Sequence, residues 1–426
     1  MCHSSGVIYT IFLCFQRAFF GASRPIPRLF VDCGCNIYGK GCILLKPNSR
    51  THFLNSMLPF LNLRTSSTLV LLVILVSLHL SASSCSQSAQ PQPFTKCTVD
   101  SQKVQLSINA IHLAIGLDNM RRLAYANQPN ANGALSRNIT AYFHVRFQMG
   151  ISTLTTYAIL AQNPVELEKA VKAIEYSFSF QKPEGDFQLV VPTSLSGMTA
   201  TEADLTSGTA FFMSSLGLAL SSMQESAWFR TAPEAKPYRE RVERLKPKFE
   251  AALKYLLNQS DVLKRYDGAA PNRLFFNALA YLGVGAYLGS PVSMSFAEDF
   301  IQRALALQQE VGFFKEGTGY DSSYQGVALS LGWSIFMLLP SQNSIKSRLW
   351  NALACGTSWQ RSLTLASGEI STVGNARVFD GGESFLGQEK EIAWKDTVFS
   401  FWYYFHLTQN ADYKRLGDAV LIFYGK

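Results

Sequence analysis

The chain has little charge and few of the side chains that hold metals. Only 16% of its 426 residues are Asp, Glu, Lys or Arg, and it has six His and eight Cys. These counts shrink further once the N-terminal region is set aside. Residues 57–84 begin Met-Leu-Pro-Phe-Leu-Asn-Leu-Arg, continue through an apolar run from Leu69 to Leu80, and end in Ser-Ala-Ser-Ser. A short charged start, a hydrophobic stretch too short to span a bilayer and a small-residue cleavage site form the pattern of an export signal. Residues 1–56 are expected to be a non-structural upstream segment, 85–100 a Ser/Gln/Pro-rich linker, and 101–426 the folded domain.

Seven basic residues and one acidic residue lie before Cys85, so the formal charge falls from +8 to +2 in the mature chain. A nearly neutral protein has no broad positive field, which excludes general nucleic-acid binding. Cys85, Cys97 and Cys355 remain, with His112, His144 and His406. That is too few for a disulfide framework, and the spacing matches no metal centre, so neither metal nor cofactor is expected. A Cys97–Cys355 bridge is left open. So is the fate of Cys85: acylation would make the protein a membrane-tethered lipoprotein, and without it the chain is simply secreted. Either way the expected location is secreted, periplasmic or on the outer surface, and a monomer is expected.

Strand-like alternation is almost absent, and apolar residues recur at three and four positions nearly everywhere after Lys103. The pattern predicts helices over 103–127, 139–162, 165–181, 204–224, 238–259, 273–288, 294–309, 323–339, 345–366, 393–408 and 411–424. Short connections alternate with long ones at 128–138, 182–203, 260–272, 310–322 and 367–392. Short links join antiparallel neighbours, so the long loops share one rim. A faint repeat marks that rim. Gln181, Gly185 and Phe187 recur as Gln308, Gly312 and Phe314, and in degraded form as Thr364, Gly368 and Ile370. Repeated hairpins bury their apolar faces only against neighbours and form solenoids or closed rings. The expectation is an all-α toroid, an incomplete or complete ring of five or six (α/α) hairpins with its long loops on one rim.

The stretch from Lys172 to Phe187 is similar to the helix-end motif of terpene cyclases, which are also α/α toroids. Their aspartate-rich motifs do not occur here, so only the shape is taken from that likeness. With its rim loops and export signal, the chain more closely resembles the toroid domain of the chondroitin AC/alginate lyase-type polysaccharide lyases. Asp321-Ser322-Ser323-Tyr324-Gln325 looks like the Asp-Gly-Ser-aromatic-Gln loop of that group, with Ser322 in place of Gly. Gly326 and Val327 stand where a His often follows. The resemblance implies β-elimination from a uronate-containing polysaccharide, with an acidic polysaccharide or oligosaccharide as partner.

Elimination requires a group that quiets the carboxylate, a base for the adjacent proton and an acid for the leaving oxygen. Tyr324 is the first choice for proton transfer and Tyr320 the second, with Arg377 as the cation that makes a phenol usable near neutral pH. Asn375 would share the grip on the carboxylate. His144 is a further candidate, although a lone His among aromatics also reads as a core residue. It is preferred to Arg146, since residues two apart on a helix do not share a face. Asn272 and Arg273 open a helix after Pro271, where the amide serves either as cap or as substrate clamp. Ser322 or Ser323 is placed to cap the helix carrying Tyr324. Asp321, Glu316 and Glu383 are rim carboxylates for substrate contact, and Phe313 and Phe379, beside loop glycines, are platforms for sugar rings. Two other functions stay open: a glycoside hydrolase using a carboxylate pair on the same rim, and a non-catalytic glycan-binding lipoprotein.

Overall fold

The computed structural model describes residues 97, 99–195, 199–385 and 388–425. The expected signal, the segment before it and Cys85 lie outside the described residues. Within them the chain forms fifteen α-helices, and the only paired strands are the two-residue β1 (Ser384–Phe385) and β2 (Gln388–Glu389). The helices are α1 (Ile108–Ile115), α2 (Leu117–Tyr125), α3 (Ile151–Leu160), α4 (Pro164–Ser179) and α5 (Glu202–Glu225). They continue with α6 (Ala227–Thr231), α7 (Lys236–Arg244), α8 (Lys246–Asn258), α9 (Ser260–Tyr266) and α10 (Pro271–Leu288). The last five are α11 (Pro291–Ala306), α12 (Ser322–Leu338), α13 (Lys346–Ser362), α14 (Trp394–Thr408) and α15 (Ala411–Tyr424).

These helices make an all-α toroid. Helix α3 packs beside α5, α5 beside α10, α10 beside α12 and α12 beside α14. Helix α1 touches both α14 and α3 and so closes the inner ring. The outer layer pairs α4 with α3, α8 with α5, α11 with α10, α13 with α12 and α15 with α14. The inner helices are apolar nearly all round because they are covered on almost every side; α10 buries Leu274 through Gly285 without a break. Its approach to α5 is set by two glycines. A Cβ on Gly217 would lie 2.9 Å from Cα of Gly283, so only glycine lets the backbones come this close.

The repeat seen in the sequence is a physical device. Gln181 bridges to Phe187, Gln308 to Phe314 and Thr364 to Ile370, each closing a tight loop at the end of a helix. The glycine in each has positive φ: 104° at Gly185, 106° at Gly312 and 92° at Gly368. Each presses against a carbonyl of the next outer helix, Ala251 on α8, Cys355 on α13 and Ala419 on α15. In the two better copies the glutamine clamps the contact. Gln308 Nε2 donates to the carbonyls of Gly312 at 2.9 Å and Ala352 at 2.7 Å. Gln181 Nε2 donates to Gly185 at 3.1 Å and Lys248 at 2.9 Å. A fourth strap, not anticipated, docks Gly133 on Lys172 of α4, and its amide comes from downstream: Gln148 Nε2 donates to Gly133 at 3.1 Å and Ala173 at 3.3 Å.

Several expected helices are shorter or broken. The segment 103–127 begins only at Ile108, where Ser107 caps it, and breaks at Gly116, whose φ is 98°. The segment 139–162 is helical only in α3; before it run 3-10 turns at Ser136–Thr140 and Val145–Gln148. The stretch 238–259 divides at Leu245, just before Pro247 enters the first turn of α8. The connections at 260–272 and 225–236 contain the short helices α9 and α6. Cys97 and Cys355 form a disulfide with Cα atoms 5.1 Å apart, tying the start of the described chain to α13.

Candidate active site

Helices α3, α5, α12 and α14 are each entered from a long connection and α10 from a short link after α9; bonds from Ser207 to Asp267, Gly317 to Ala269 and Arg377 to Asp321 join the entries of α5, α10, α12 and α14 on one rim. The unpaired N–H groups of those turns carry partial positive charge. Asp321 caps α12, its Oδ1 accepting from the amides of Ser323 at 3.1 Å and Tyr324 at 3.0 Å. Its Oδ2 accepts from the amides of Arg377 at 3.0 Å and Val378 at 2.8 Å, which joins the loop before α12 to the loop before α14. The cap is therefore the aspartate, not Ser322 or Ser323 as expected. Asp321 is buried and spends both oxygens on backbone.

That joint carries a polar cluster. The Arg377 guanidinium lies 4.5 Å from the centre of the Tyr324 ring, with Nη1 on Glu316 Oε1 at 2.5 Å and Nη2 on Glu383 Oε1 at 2.9 Å. The Tyr324 hydroxyl donates to Glu383 Oε2 at 2.6 Å and accepts from Lys390 Nζ, which also lies over the ring. Burial pushes the Tyr324 phenol up, the Glu383 bond adds to this, and Arg377 only partly opposes it. Burial also pulls the Lys390 ammonium down to about 8. Burial raises Glu316 against the pull of Arg377. At Glu383 burial is outweighed by Tyr324, Lys390 and Arg377, so its carboxyl is held low.

The structure thus unites Tyr324, Arg377, Glu316 and Glu383, but with other jobs than expected. Arg377 has both ends of its fork occupied, and it does not bring the phenol toward neutrality. Asn375 is buried, with its amide donating to Val378 O at 2.8 Å and Ser322 Oγ at 3.0 Å and its oxygen accepting from Ser322 N at 2.8 Å, so it has no free donor for a carboxylate. The Tyr320 hydroxyl donates to Val373 O at 2.8 Å, pinning one loop to the other. Phe313 is wedged between Tyr320 and Trp359, with ring centres 5.7 and 5.3 Å away, rather than lying open as a platform. Phe379 is 45% exposed on the rim.

His144 lies elsewhere on the rim, at the start of α5. Its Nε2 meets Asp204 Oδ2 at 3.3 Å, and Arg146 Nη2 meets Asp204 Oδ1 at 2.9 Å. The two residues reach one carboxylate because the chain there is extended and then 3-10, not α-helical, which removes the argument that they must face apart. Burial lowers His144, so the ring favours its neutral form. At Asp204 burial is outweighed by His144 and Arg146, holding the carboxyl at about 2. Asn272 is buried in the first turn of α10 and its oxygen accepts from the adjacent Arg273 N at 2.8 Å; it is not the cap, which falls at Ala270 with no side-chain bond. Arg273 pairs with Asp267 at 3.3 Å.

Below this rim lies a cavity of about 210 Å³ bounded by all six inner helices and α2. Ser330 and Leu331 of α12 line it, and Tyr324 is seven residues before Leu331, two turns higher on the same helix face. Phe276 of α10 lines it one turn below Arg273. Lys395 and Asp396 enter it from the first turn of α14. Burial pushes the Asp396 carboxyl up to about 6, with a Ser330 hydrogen bond and the Lys395 charge opposing. At the far end His112 Nε2 meets the Tyr403 hydroxyl at 2.6 Å, and burial holds His112 at about 4, so it is neutral. Sequence reading missed Asp396, Lys395, His112 and Tyr403. Asp396, Phe399 and Tyr403 do fall at i, i+3 and i+7, the one signal that they share a face. Among the described residues no group of three or more His, Cys, Asp or Glu side chains is gathered to hold a metal ion.

Neither a family profile nor a curated protein matches this chain. Three solved structures have a loosely similar chain path. One is a D-mannose isomerase, at 10% identity over 75% of this chain and 87% of that one, with a TM-score of 0.44. Another is a UGL variant with dGlcA-Glc-Rha-Glc, at 13% identity over 74% and 80%, TM-score 0.40. The third is an unsaturated glucuronyl hydrolase variant from Streptococcus agalactiae complexed with dGlcA-GalNAc6S, at 11% identity over 78% and 98%, TM-score 0.32. Overlaps this loose carry no inference about this chain, whose fold and site stand on their own geometry.

Proposed function

We propose that the protein is a glycan-processing enzyme that cleaves a glycosidic bond by proton transfer in the central cavity, with Asp396 as general acid. One observation carries this reading: a carboxyl group pushed up to about 6 lines a cavity at the centre of the helix ring. An acid of that strength keeps a proton to give to a leaving oxygen while remaining easy to recharge. The cavity is small for a ligand site, which supports action on one terminal sugar rather than along a threaded chain. Aromatic faces from Phe276 and Phe399 beside the Ser330 and Ser334 hydroxyls suit a polyol ring.

Hydrolysis also needs a base for water, and Glu383 is the group assigned to it. A second reading, β-elimination from a uronate, is favoured by the two cations on the Tyr324 phenol. It requires Glu383 to release that phenol first. The Cys97–Cys355 bridge supports an oxidising location outside the cytoplasm, in line with the export signal.

The test is product analysis against neutral and uronate-containing oligosaccharides. New reducing ends without absorbance in the unsaturated-uronate band support hydrolysis. In that case Asp396→Asn should lower turnover by about a hundred-fold or more, while Tyr324→Phe, which removes only one hydrogen bond from Glu383, should lower it far less. Absorbing products, abolished by Tyr324→Phe, would instead establish elimination. Binding with no product from any oligosaccharide would overturn the enzymatic reading and leave a glycan-binding protein.

A further inference from the structure

The central cavity carries an acid on one part of its wall and a hydrogen-bonded base on another. The titratable groups that line it are Lys395, Asp396 and Tyr403 of α14 and His112 of α1. Asp396 and Tyr403 are seven residues apart, on one face of α14. Opposite them on α12, Ser330 bonds the Asp396 carboxyl and Ser334, one turn further on, lies against the Tyr403 hydroxyl. The Asp396 charge is felt at the Tyr403 phenol, so the two heads share one space.

The Tyr403 hydroxyl also meets His112 Nε2 at 2.6 Å. The Ile108 carbonyl, one turn earlier on α1, favours a proton on the other ring nitrogen, and burial keeps the ring neutral above about pH 4. Nε2 is then the acceptor and the Tyr403 hydroxyl the donor. Ser334 spends its own hydrogen on the Ser330 carbonyl at 2.9 Å, so the phenol oxygen can still accept from a ligand hydroxyl. A proton taken from that hydroxyl passes through Tyr403 to His112, and the buried phenol carries no charge on the way.

An acid and a base inside one small cavity act on neighbouring atoms of one small ligand. In a free sugar the anomeric carbon bears such a pair, the ring oxygen and the anomeric hydroxyl. Opening that hemiacetal asks for an acid at the first and a base at the second, with no oxidant, reductant or second substrate.

We propose that the cavity interconverts the anomers of a free reducing monosaccharide by opening its ring, with Asp396 at the ring oxygen and Tyr403 at the anomeric hydroxyl. The anomeric O–H proton moves to Tyr403 as the phenol proton moves to His112 Nε2. The electron pair left on that oxygen forms the C1 carbonyl, the bond from C1 to the ring oxygen breaks, and the ring oxygen takes the Asp396 proton. Rotation about C1–C2 and the reverse sequence close the ring as the other anomer and return both protons. Lys395 stands beside the carboxylate left in between. This activity rests on the same reading of the cavity as a sugar site with Asp396 as acid, but it needs neither Glu383 nor a glycosidic bond. Asp396 and Tyr403 touch the ligand; His112 is a positioning residue that acts through Tyr403.

Polarimetry of freshly dissolved α-D-glucose, α-D-galactose and α-D-mannose with the purified protein tests it. At least one sugar should mutarotate faster with the protein than in buffer. The catalysed rate should fall below about pH 4 and above about pH 6, as His112 gains and Asp396 loses its proton. Asp396→Asn and Tyr403→Phe should each lower it by about a hundred-fold or more. His112→Gln can still accept the Tyr403 hydrogen bond but takes no proton. It should lower the rate and remove the low-pH limb, which a packing role would leave in place. No acceleration of any of the three sugars by the wild type, or a low-pH limb unchanged in His112→Gln, overturns the inference. Glycoside cleavage without acceleration overturns it too and leaves the hydrolase standing. Acceleration without cleavage of any glycoside sustains it and removes the hydrolase.

Discussion

Asp396 occupies a place where a charged carboxylate is hard to keep. A buried acid whose value rises from about 3.9 in an unfolded chain to about 6 in the folded one binds its proton more tightly in the native state. Between roughly pH 4 and 6 the unfolded chain ionises first, so native stability falls as pH rises through that window. Asp204 has the opposite sign: held at about 2, it contributes stability above pH 4 that is lost as pH falls toward 2. Asp396→Asn should therefore gain thermal stability relative to the wild type as pH rises from about 4 to 6, which melting curves at four or five pH values would show. A constant difference across that range would mean the carboxyl titrates normally. None of this is written beside Asp396 in the sequence. Trp394-Lys395-Asp396 looks like an ordinary helix start with an acid favourable to the dipole, and its hydrogen-bond partner, Ser330, is on another helix, α12. Tyr324, Glu316, Arg377 and Glu383 were easier to see, because acidic, aromatic and basic groups crowd into glycine-rich loops. What could not be seen was that they satisfy one another.

The straps show what the loop glycines do for the helices around them. Gly312 needs positive φ, and a Cβ there would sit 2.6 Å from the carbonyl oxygen of Cys355 on the neighbouring outer helix. Gly289 also has positive φ, but a Cβ there would meet nothing within 4 Å. Gly312→Ala should therefore cost roughly 1–3 kcal/mol of stability, and Gly289→Ala about 1 kcal/mol or less. Urea unfolding of the two variants measures the difference, and equal costs would show that the close approach to α13 is not stabilising. The three straps that begin with Gln181, Gln308 and Thr364 were legible because residues and spacing repeat. The one at Gly133 was not, because its glutamine follows the glycine by fifteen positions. The long helices were readable in the sequence; the short α6 and α9, and the integrity of the long ones, were not. At 139–150 the buried Asn138 side chain bonds the His144 backbone on both its N–H and its C=O, at 2.9 and 3.1 Å, and so competes with helical pairing.

At the scale of the whole ring, closure depends on a segment that is not itself helical. From Val99 to Ser107 the chain runs beside the end of α14. The Asp100 amide donates to the Tyr404 hydroxyl at 3.0 Å, and the amides of Lys103 and Val104 share the Leu407 carbonyl at 2.9 and 3.2 Å. Only then does α1 turn inward, bringing His112 to the end of the cavity. The Cys97–Cys355 bridge spans 258 residues and pins the outer end of this segment to α13, so it restrains both the unfolded chain and the piece that closes the hollow. Removing such a bridge costs about 2–5 kcal/mol in many folds. Cys355→Ser should lower Tm, and the loss should be uneven: amides of α1 should exchange with solvent faster, while those of α10, covered by α5, α11 and α12, change little. On the proposed function, weaker sugar binding should accompany this, because His112 of α1 lines the cavity. A uniform rise in exchange across all helices would mean that the bridge stabilises the fold only globally and that α1 needs no tether to complete the ring.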